Sequence, residues 1–217
     1  MTRIIGGSAG GRRINTPRGV NTRPTSDRVR EALFSAVESW CGSLEGLRVL
    51  DLYAGSGAIG LEARSRGAGV VTLVELDRRT AALIGDNARH LGFTRVEVVA
   101  GSVAATLSRP PAAPYDLAFS DPPYPLSIQA VEHDLAALVA NDWLVPGALV
   151  VVERASRGEG PTWPDGLHAE RSRKYGETTL WYGHAARSDE RPADQDEPDE
   201  RSDERAEQDQ QPLMSEE

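Results

Sequence analysis

The chain has 217 residues, one cysteine and a formal net charge of −9. That length suits one α/β domain with extensions, and the lone Cys41 excludes an intramolecular disulfide or a cysteine metal cluster. The start Met1-Thr2-Arg3-Ile4-Ile5-Gly6-Gly7 lacks an apolar run of signal length and no stretch approaches a membrane span, so a cytoplasmic protein without membrane attachment is expected.

The first 30 residues hold seven arginines against one aspartate. Arg3, Arg12, Arg13, Arg18, Arg23, Arg28 and Arg30 are therefore candidates for nucleic-acid phosphate contact. Gly6, Gly7, Gly10, Gly11 and Gly19, with Pro17 and Pro24, break any helix here, and Ile4-Ile5 and Arg12-Arg13-Ile14 suit a short hairpin. Thr25-Ser26-Asp27 then caps a helix, with Val29, Leu33, Phe34 and Val37 at helical spacing to about Trp40. Residues 1–40 are read as a basic arm and helix that contact the nucleic acid.

From Leu47 strands and helices alternate. Strands are expected at Leu47–Asp51, Val70–Glu75, Val96–Val99, Tyr115–Ser120 and Ala148–Glu153. Helices are expected at Ala58–Arg66, Arg78–Leu91, Val103–Leu107 and Ile128–Ala140. Two last strands, Leu167–Lys174 and Thr178–Tyr182, flank Tyr175-Gly176-Glu177 as a hairpin. Apolar parallel strands with helices between them imply a doubly wound α/β sheet, and the closing antiparallel hairpin is unusual for a dinucleotide-binding domain. Residues 41–184 form this catalytic domain. Residues 185–217 carry 13 acidic residues against four arginines and almost no apolar ones, so an acidic disordered tail is expected. The tail alone carries −9, so the overall acidity does not argue against a nucleic-acid partner.

Gly55-Ser56-Gly57-Ala58-Ile59-Gly60 follows the first catalytic-domain strand and formally matches a dinucleotide loop. Asp51 argues otherwise. A carboxylate at the end of that strand repels a pyrophosphate on the helix N-terminus and favours a ligand with positive charge. S-adenosylmethionine carries a sulfonium and an ammonium, and no phosphate. Asp51, Tyr53, Ala54, Gly55, Ser56 and Gly57 are read as its loop. Glu75 ends the second of these strands, where a carboxylate accepts from both ribose hydroxyls, with Leu76 beside it. Ser102 and Val103 follow the third, where the adenine is expected; Asp77 is read as a helix cap.

Asp121-Pro122-Pro123-Tyr124 follows the strand Tyr115–Ser120. The prolines fix an extended turn, Asp121 and the Pro122 carbonyl both accept from an exocyclic amine, and Tyr124 offers a face for a base. Asp121, Pro122 and Tyr124 are the catalytic candidates, and Asp121 also borders the donor. The bland alternative is a strand ending in a proline turn.

With these residues in view, the chain resembles the RsmD-type 16S rRNA guanine-N2 methyltransferases. The resemblance rests on Arg3-Ile4-Ile5-Gly6-Gly7, Gly11-Arg12, Arg23-Pro24-Thr25-Ser26-Asp27-Arg28-Val29-Arg30-Glu31 with Leu33-Phe34, on Asp51 to Glu62, and on Asp121 to Tyr124. It spans residues 3 to about 184. It implies a seven-stranded class I methyltransferase fold, S-adenosylmethionine as donor, and one guanine of 16S rRNA in a partly or fully assembled small ribosomal subunit as substrate. Ser102 departs from the acidic or amide residue many methyltransferases place before the adenine.

An adenine-N6 amino-methyltransferase is the alternative within the class, but this length leaves no room for a target-recognition domain. A non-catalytic binder is disfavoured by intact Asp51, Gly55, Gly57, Glu75 and Asp121, and an NAD enzyme by Asp51. His90, His133, His168 and His184 show no metal-ligand spacing, so no metal is expected. Trp40, Trp143, Trp163 and Trp181 read as packing. Arg171, Arg173 and Lys174 form a second, weaker basic group. A monomer is expected.

Overall fold

The computed structural model describes residues 2–17 and 26–187. A small antiparallel hairpin, β1 (Thr2–Arg3) and β2 (Arg13–Ile14), comes first, with a 3-10 turn at Gly7–Ala9 between its strands. Helix α1 (Asp27–Cys41) follows, its N-cap Ser26 accepting from the Val29 amide. The main sheet then alternates β3 (Arg48–Leu52), α2 (Ala58–Ser65), β4 (Val70–Glu75), α3 (Arg78–Leu91), β5 (Val96–Ala100), α4 (Val103–Leu107), β6 (Tyr115–Ser120), α5 (Ile128–Ala140), β7 (Leu144–Ala155), β8 (Leu167–Tyr175) and β9 (Thr178–Ala185). Its strand order is β5-β4-β3-β6-β7-β9-β8, parallel through β7 and closed by the antiparallel β9 and β8.

Each face of the sheet is covered, which is why its central strands are apolar throughout. One face packs Val49, Val71, Leu73 and Phe119 against α1 and α2 through Leu33, Phe34, Val37 and Ala63. The other packs Leu50, Leu52, Val74, Ala118 and Val150 against α4 and α5 through Leu107, Val131, Leu135 and Leu138. Helix α1 therefore shares the core of the sheet. The first hairpin has its own small core, where Ile4, Ala9 and Ile14 meet Leu61, Ala88 and Leu91 of α2 and α3.

Most elements fall within a residue of where periodicity places them, with three larger differences. The first strand is Thr2–Arg3 and not Ile4-Ile5, because the Ile5 amide turns to the Glu62 carboxylate instead of the opposite strand. Strand β7 begins at Leu144, four residues before the expected start. The strand passes through Pro146-Gly147 with a register shift against β6 and with Gly147 at φ 76°. Strand β9 runs on to Ala185, because His184 and Ala185 still pair with β8. Among the described residues no helix is long and apolar enough to cross a membrane. Arg18, Arg23 and the expected tail from residue 188 lie outside the described residues.

Candidate active site

The chain leaves β3 toward β4 and β5 and later returns to β6 on the other side of β3. The crevice beyond the C-terminal ends of β3 and β6 is thus the switch point where α/β sheets bind ligands. Both candidate motifs open into it. Leu52 and Ser120 pair side by side, so the loop after β3 and the tetrapeptide after β6 leave the sheet as neighbours.

The loop after β3 is held from several directions. Its Ala54 amide donates to the Val74 carbonyl, and its Gly57 amide to the Ala54 carbonyl. Tyr53, Gly55 and Gly57 all take positive φ. The glycines serve different ends. A Cβ at Gly57 would come within 2.9 Å of Ile84 of α3, and one at Gly60 within 2.7 Å of Leu73, so Gly57 lets the loop pass close to α3 and Gly60 lets α2 sit close on the sheet. A Cβ at Gly55 would meet nothing within 4 Å, so this glycine faces open space.

Three carboxylates converge there. Asp51 is buried, accepts from the Gly60 amide at 2.9 Å, and is pushed up to about 8 by burial and by the negative charges of Asp121 and Glu75. Glu75 bridges the crevice: one oxygen accepts from the Gly55 amide at 2.9 Å and the other from the Asp77 amide at 2.8 Å. Asp121 is half-buried at the end of β6, with its amide 3.5 Å from the Leu52 carbonyl. Such a cluster suits a cationic ligand and resists a phosphate.

The other expected site residues fall around this cluster. Leu76 is 72% exposed beside Glu75, an unusual position for a leucine in a folded domain. Asp77 caps α3 as expected, accepting from the Thr80 amide. Ser102 caps α4 through the Ala105 amide, and the Val103 side chain is in the core. That leaves the Val103 backbone, in the first turn of α4, as its contribution. Tyr53 donates its hydroxyl to Asp134 of α5, so its side chain is tied to that helix. Burial and the Asp134 carboxylate raise its pKa.

In the tetrapeptide Pro122 is buried, Pro123 is exposed, and Tyr124 is 58% exposed. The Pro123 carbonyl accepts from the Leu126 amide and closes the turn. Arg154, at the end of β7, donates to the Leu126 carbonyl at 2.9 Å and fixes the same loop from outside. Ser127 then caps α5 through the Ala130 amide.

The arginines of the arm divide. Arg30 is fully buried and donates to Thr2 Oγ1 at 3.1 Å, the Arg3 carbonyl at 2.8 Å and Asp27 at 2.7 Å. It joins the first hairpin to α1, which corrects its reading as a phosphate contact: a guanidinium with no exposed surface meets no RNA. Burial raises the Asp27 carboxyl, but Arg30 and Arg3 outweigh it and hold the group below the usual carboxylate range. Arg12 donates to the His90 and Leu91 carbonyls at the C-terminus of α3, where a cation offsets the helix dipole. Arg13 and Arg28 are exposed.

Three supporting residues escape the sequence reading. Buried Glu62 of α2 accepts from the amides of Ile5 and Gly6 at 2.6 and 2.8 Å and pairs with Arg66. Buried Asn87 of α3 accepts from the Asn15 amide and donates to the carbonyls of Asn15 and Ser56. It thereby ties the arm to the donor loop. Asn87 and Glu62 sit among the buried residues of their helices, and a polar residue on an apolar stripe is the signal that could have found them. Arg154 lay one residue past the expected end of its strand.

The family model described as conserved hypothetical protein 95 matches residues 2–184. The ribosomal RNA small subunit methyltransferase D of Escherichia coli K12 is 37% identical over 172 residues, covering 78% of this chain and 83% of its own. The chain belongs to the RsmD methyltransferase family. Solved structures agree. The Escherichia coli protein yhhF superposes with a TM-score of 0.75 at 32% identity, covering 85% of this chain and 97% of its own. The Thermus thermophilus protein TTHA0928 gives 0.70 at 31%, covering 84% and 98%. The RsmD family thus accounts for the parallel sheet, its antiparallel C-terminal hairpin and the N-terminal hairpin within one matched unit.

Proposed function

We propose that this protein transfers a methyl group from S-adenosylmethionine to the exocyclic N2 of one guanine in 16S rRNA of the small ribosomal subunit. The observation that carries this is the meeting of Asp51, Glu75 and Asp121 at one crevice, with the Asp121–Tyr124 turn on its rim. When bound, the donor supplies an electrophilic methyl on a cationic sulfur.

The residues present fit that donor. Asp51 and Asp121 offer negative charge to its sulfonium and ammonium, Glu75 has lone pairs for ribose hydroxyls, and the open space at Gly55 admits the ligand against the backbone. Leu76 gives the adenine an apolar surface, and the Val103 amide a hydrogen bond. On the other side Asp121 and the Pro122 carbonyl accept from the guanine amine, and Tyr124 stacks on a base drawn out of its neighbours. Guanine N2 is a poor nucleophile because its lone pair is delocalised. Accepting both N–H groups favours a more tetrahedral nitrogen, and close alignment supplies most of the acceleration. In this reading residues 1–40 support RNA contact, residues 41–184 carry the chemistry and residues 185–217 form a solvating acidic tail. The protein works as a cytoplasmic monomer on partly or fully assembled subunits.

The test incubates the protein and labelled S-adenosylmethionine with small subunits lacking guanine-N2 methylation, with naked 16S rRNA and with DNA. Label recovered as N2-methylguanosine from rRNA is the expected result. Label in adenine overturns the choice of base.

Asp51 makes donor affinity depend on pH. Its folded pKa stands far above the unfolded value, so its protonated form favours the fold at low pH and ionisation weakens it as pH rises toward about 8. A cationic donor selects the ionised form. Donor affinity is therefore expected to rise by up to about tenfold per pH unit from pH 6 and to level off near pH 8. Titration calorimetry with the wild type and Asp51→Asn checks this, the variant losing the slope.

A further inference from the structure

We infer that the C-terminal hairpin presents a second RNA-contacting surface, formed by Arg157, Arg173 and Lys174, that holds the single-stranded backbone flanking the target nucleotide. This rests on the rRNA reading above. Strand β8 is the free edge of the sheet, and its residues 168–174 are all exposed. It runs antiparallel to β9, which runs antiparallel to β7, so its C-terminal end lies at the catalytic end of the sheet. Register makes this specific. Ser120 aligns through Val152 and Trp181 with Ser172. The next row, level with Asp121, runs Glu153, Leu180, Arg173, and the one after it runs Arg154, Thr179, Lys174. Three strand spacings put Arg173 about 14 Å from the Asp121 position, along the rim of the same crevice. Arg157 joins them because the Ser156 amide donates to the Glu177 carbonyl and its hydroxyl bonds Thr179, which fixes the end of β7 against the hairpin turn.

These cations face solvent, as Arg28 of the arm does, whereas three of the arm's arginines are held within the fold. Arg157, Arg173 and Lys174 are exposed and make no hydrogen bond or ion pair with a described residue. Arg3, Arg12 and Arg30 are all engaged within the fold. Arg171 extends the same strand, its guanidinium 5.1 Å above the Tyr182 ring. Among the acids nearby, Glu153 is buried and Glu170 has the His184 ring at 2.7 Å; with Glu159 and Glu177 they stand beside four exposed cations, Arg157, Arg171, Arg173 and Lys174. The target guanine must be unstacked to reach Asp121, so the nucleotides beside it are single-stranded and present phosphates to this rim.

A charged edge strand also discourages pairing with another sheet edge, and the test separates the two roles. A labelled 16S rRNA fragment carrying the target guanine in a loop is titrated with the full chain and with R157Q/R173Q/K174Q at several salt concentrations. Each lost single-strand phosphate contact lowers the salt slope by about 0.7, so the triple variant is expected to lose about 2 from the slope and to bind more weakly. Its thermal shift with S-adenosylhomocysteine stays that of the wild type. A wild-type slope and affinity overturn the proposal, and self-association of the variant with RNA affinity intact assigns the cations to edge protection instead. A wild-type chain that binds no RNA overturns both this surface and the rRNA reading.

Discussion

The first and last hairpins of the described chain both carry cations, and they use them in opposite ways. In the first, Arg13 is exposed, but other basic side chains and several backbone amides are bound within the fold. Arg30 is buried against Thr2, Arg3 and Asp27, Arg12 closes the end of α3, and Glu62 receives two amides of the Gly6 turn. In the last, the outer strand is exposed from residue 168 to residue 174, and Arg173 and Lys174 face solvent. Density of arginine in a sequence therefore does not locate an RNA surface by itself. A guanidinium satisfies a carbonyl or a carboxylate as readily as a phosphate, and folding decides which it meets.

This contrast can be broken by experiment. The largest effect is expected from Glu62→Ala. It strands the Ile5 and Gly6 amides and removes one of the two carboxylates of Arg66, which keeps Glu38, and about 2–4 kcal/mol of stability should be lost in urea unfolding. A loss under about 1 kcal/mol would show that the first hairpin is only loosely docked. Asn87→Ala should cost about 1–3 kcal/mol and also weaken S-adenosylhomocysteine binding, since Ser56 loses its anchor. An unchanged donor titration would separate the arm from the loop. The smallest effect on stability belongs to Arg173→Gln and Lys174→Gln, which should melt with the wild type while binding rRNA more weakly.

Much of the molecule was legible before folding because its signals are local. The apolar stripe of α3 and the run Tyr115–Ser120 set the bounds of those elements correctly. Asp51, Glu75 and Asp121 come near one another because each sits at or within a residue of the end of a parallel strand, and parallel strands bring their ends together whatever the loops between them do. Long-range satisfaction was not legible. Nothing in the local pattern says that Arg30 reaches the Arg3 carbonyl 27 residues away, or that Asn87 meets Asn15 across 72. Nor could spacing show that Gly55 faces open space while Gly57 and Gly60 are packed against Ile84 and Leu73.

The central claim is that Asp121 acts on the accepting amine next to a separately bound donor. The most direct measurement pairs single-turnover methyl transfer to undermethylated small subunits with S-adenosylhomocysteine titration, for the wild type and Asp121→Ala. The account predicts that transfer falls by about a hundredfold or more while donor affinity stays within a few-fold. Near-normal transfer by Asp121→Ala, with donor bound normally, would contradict it.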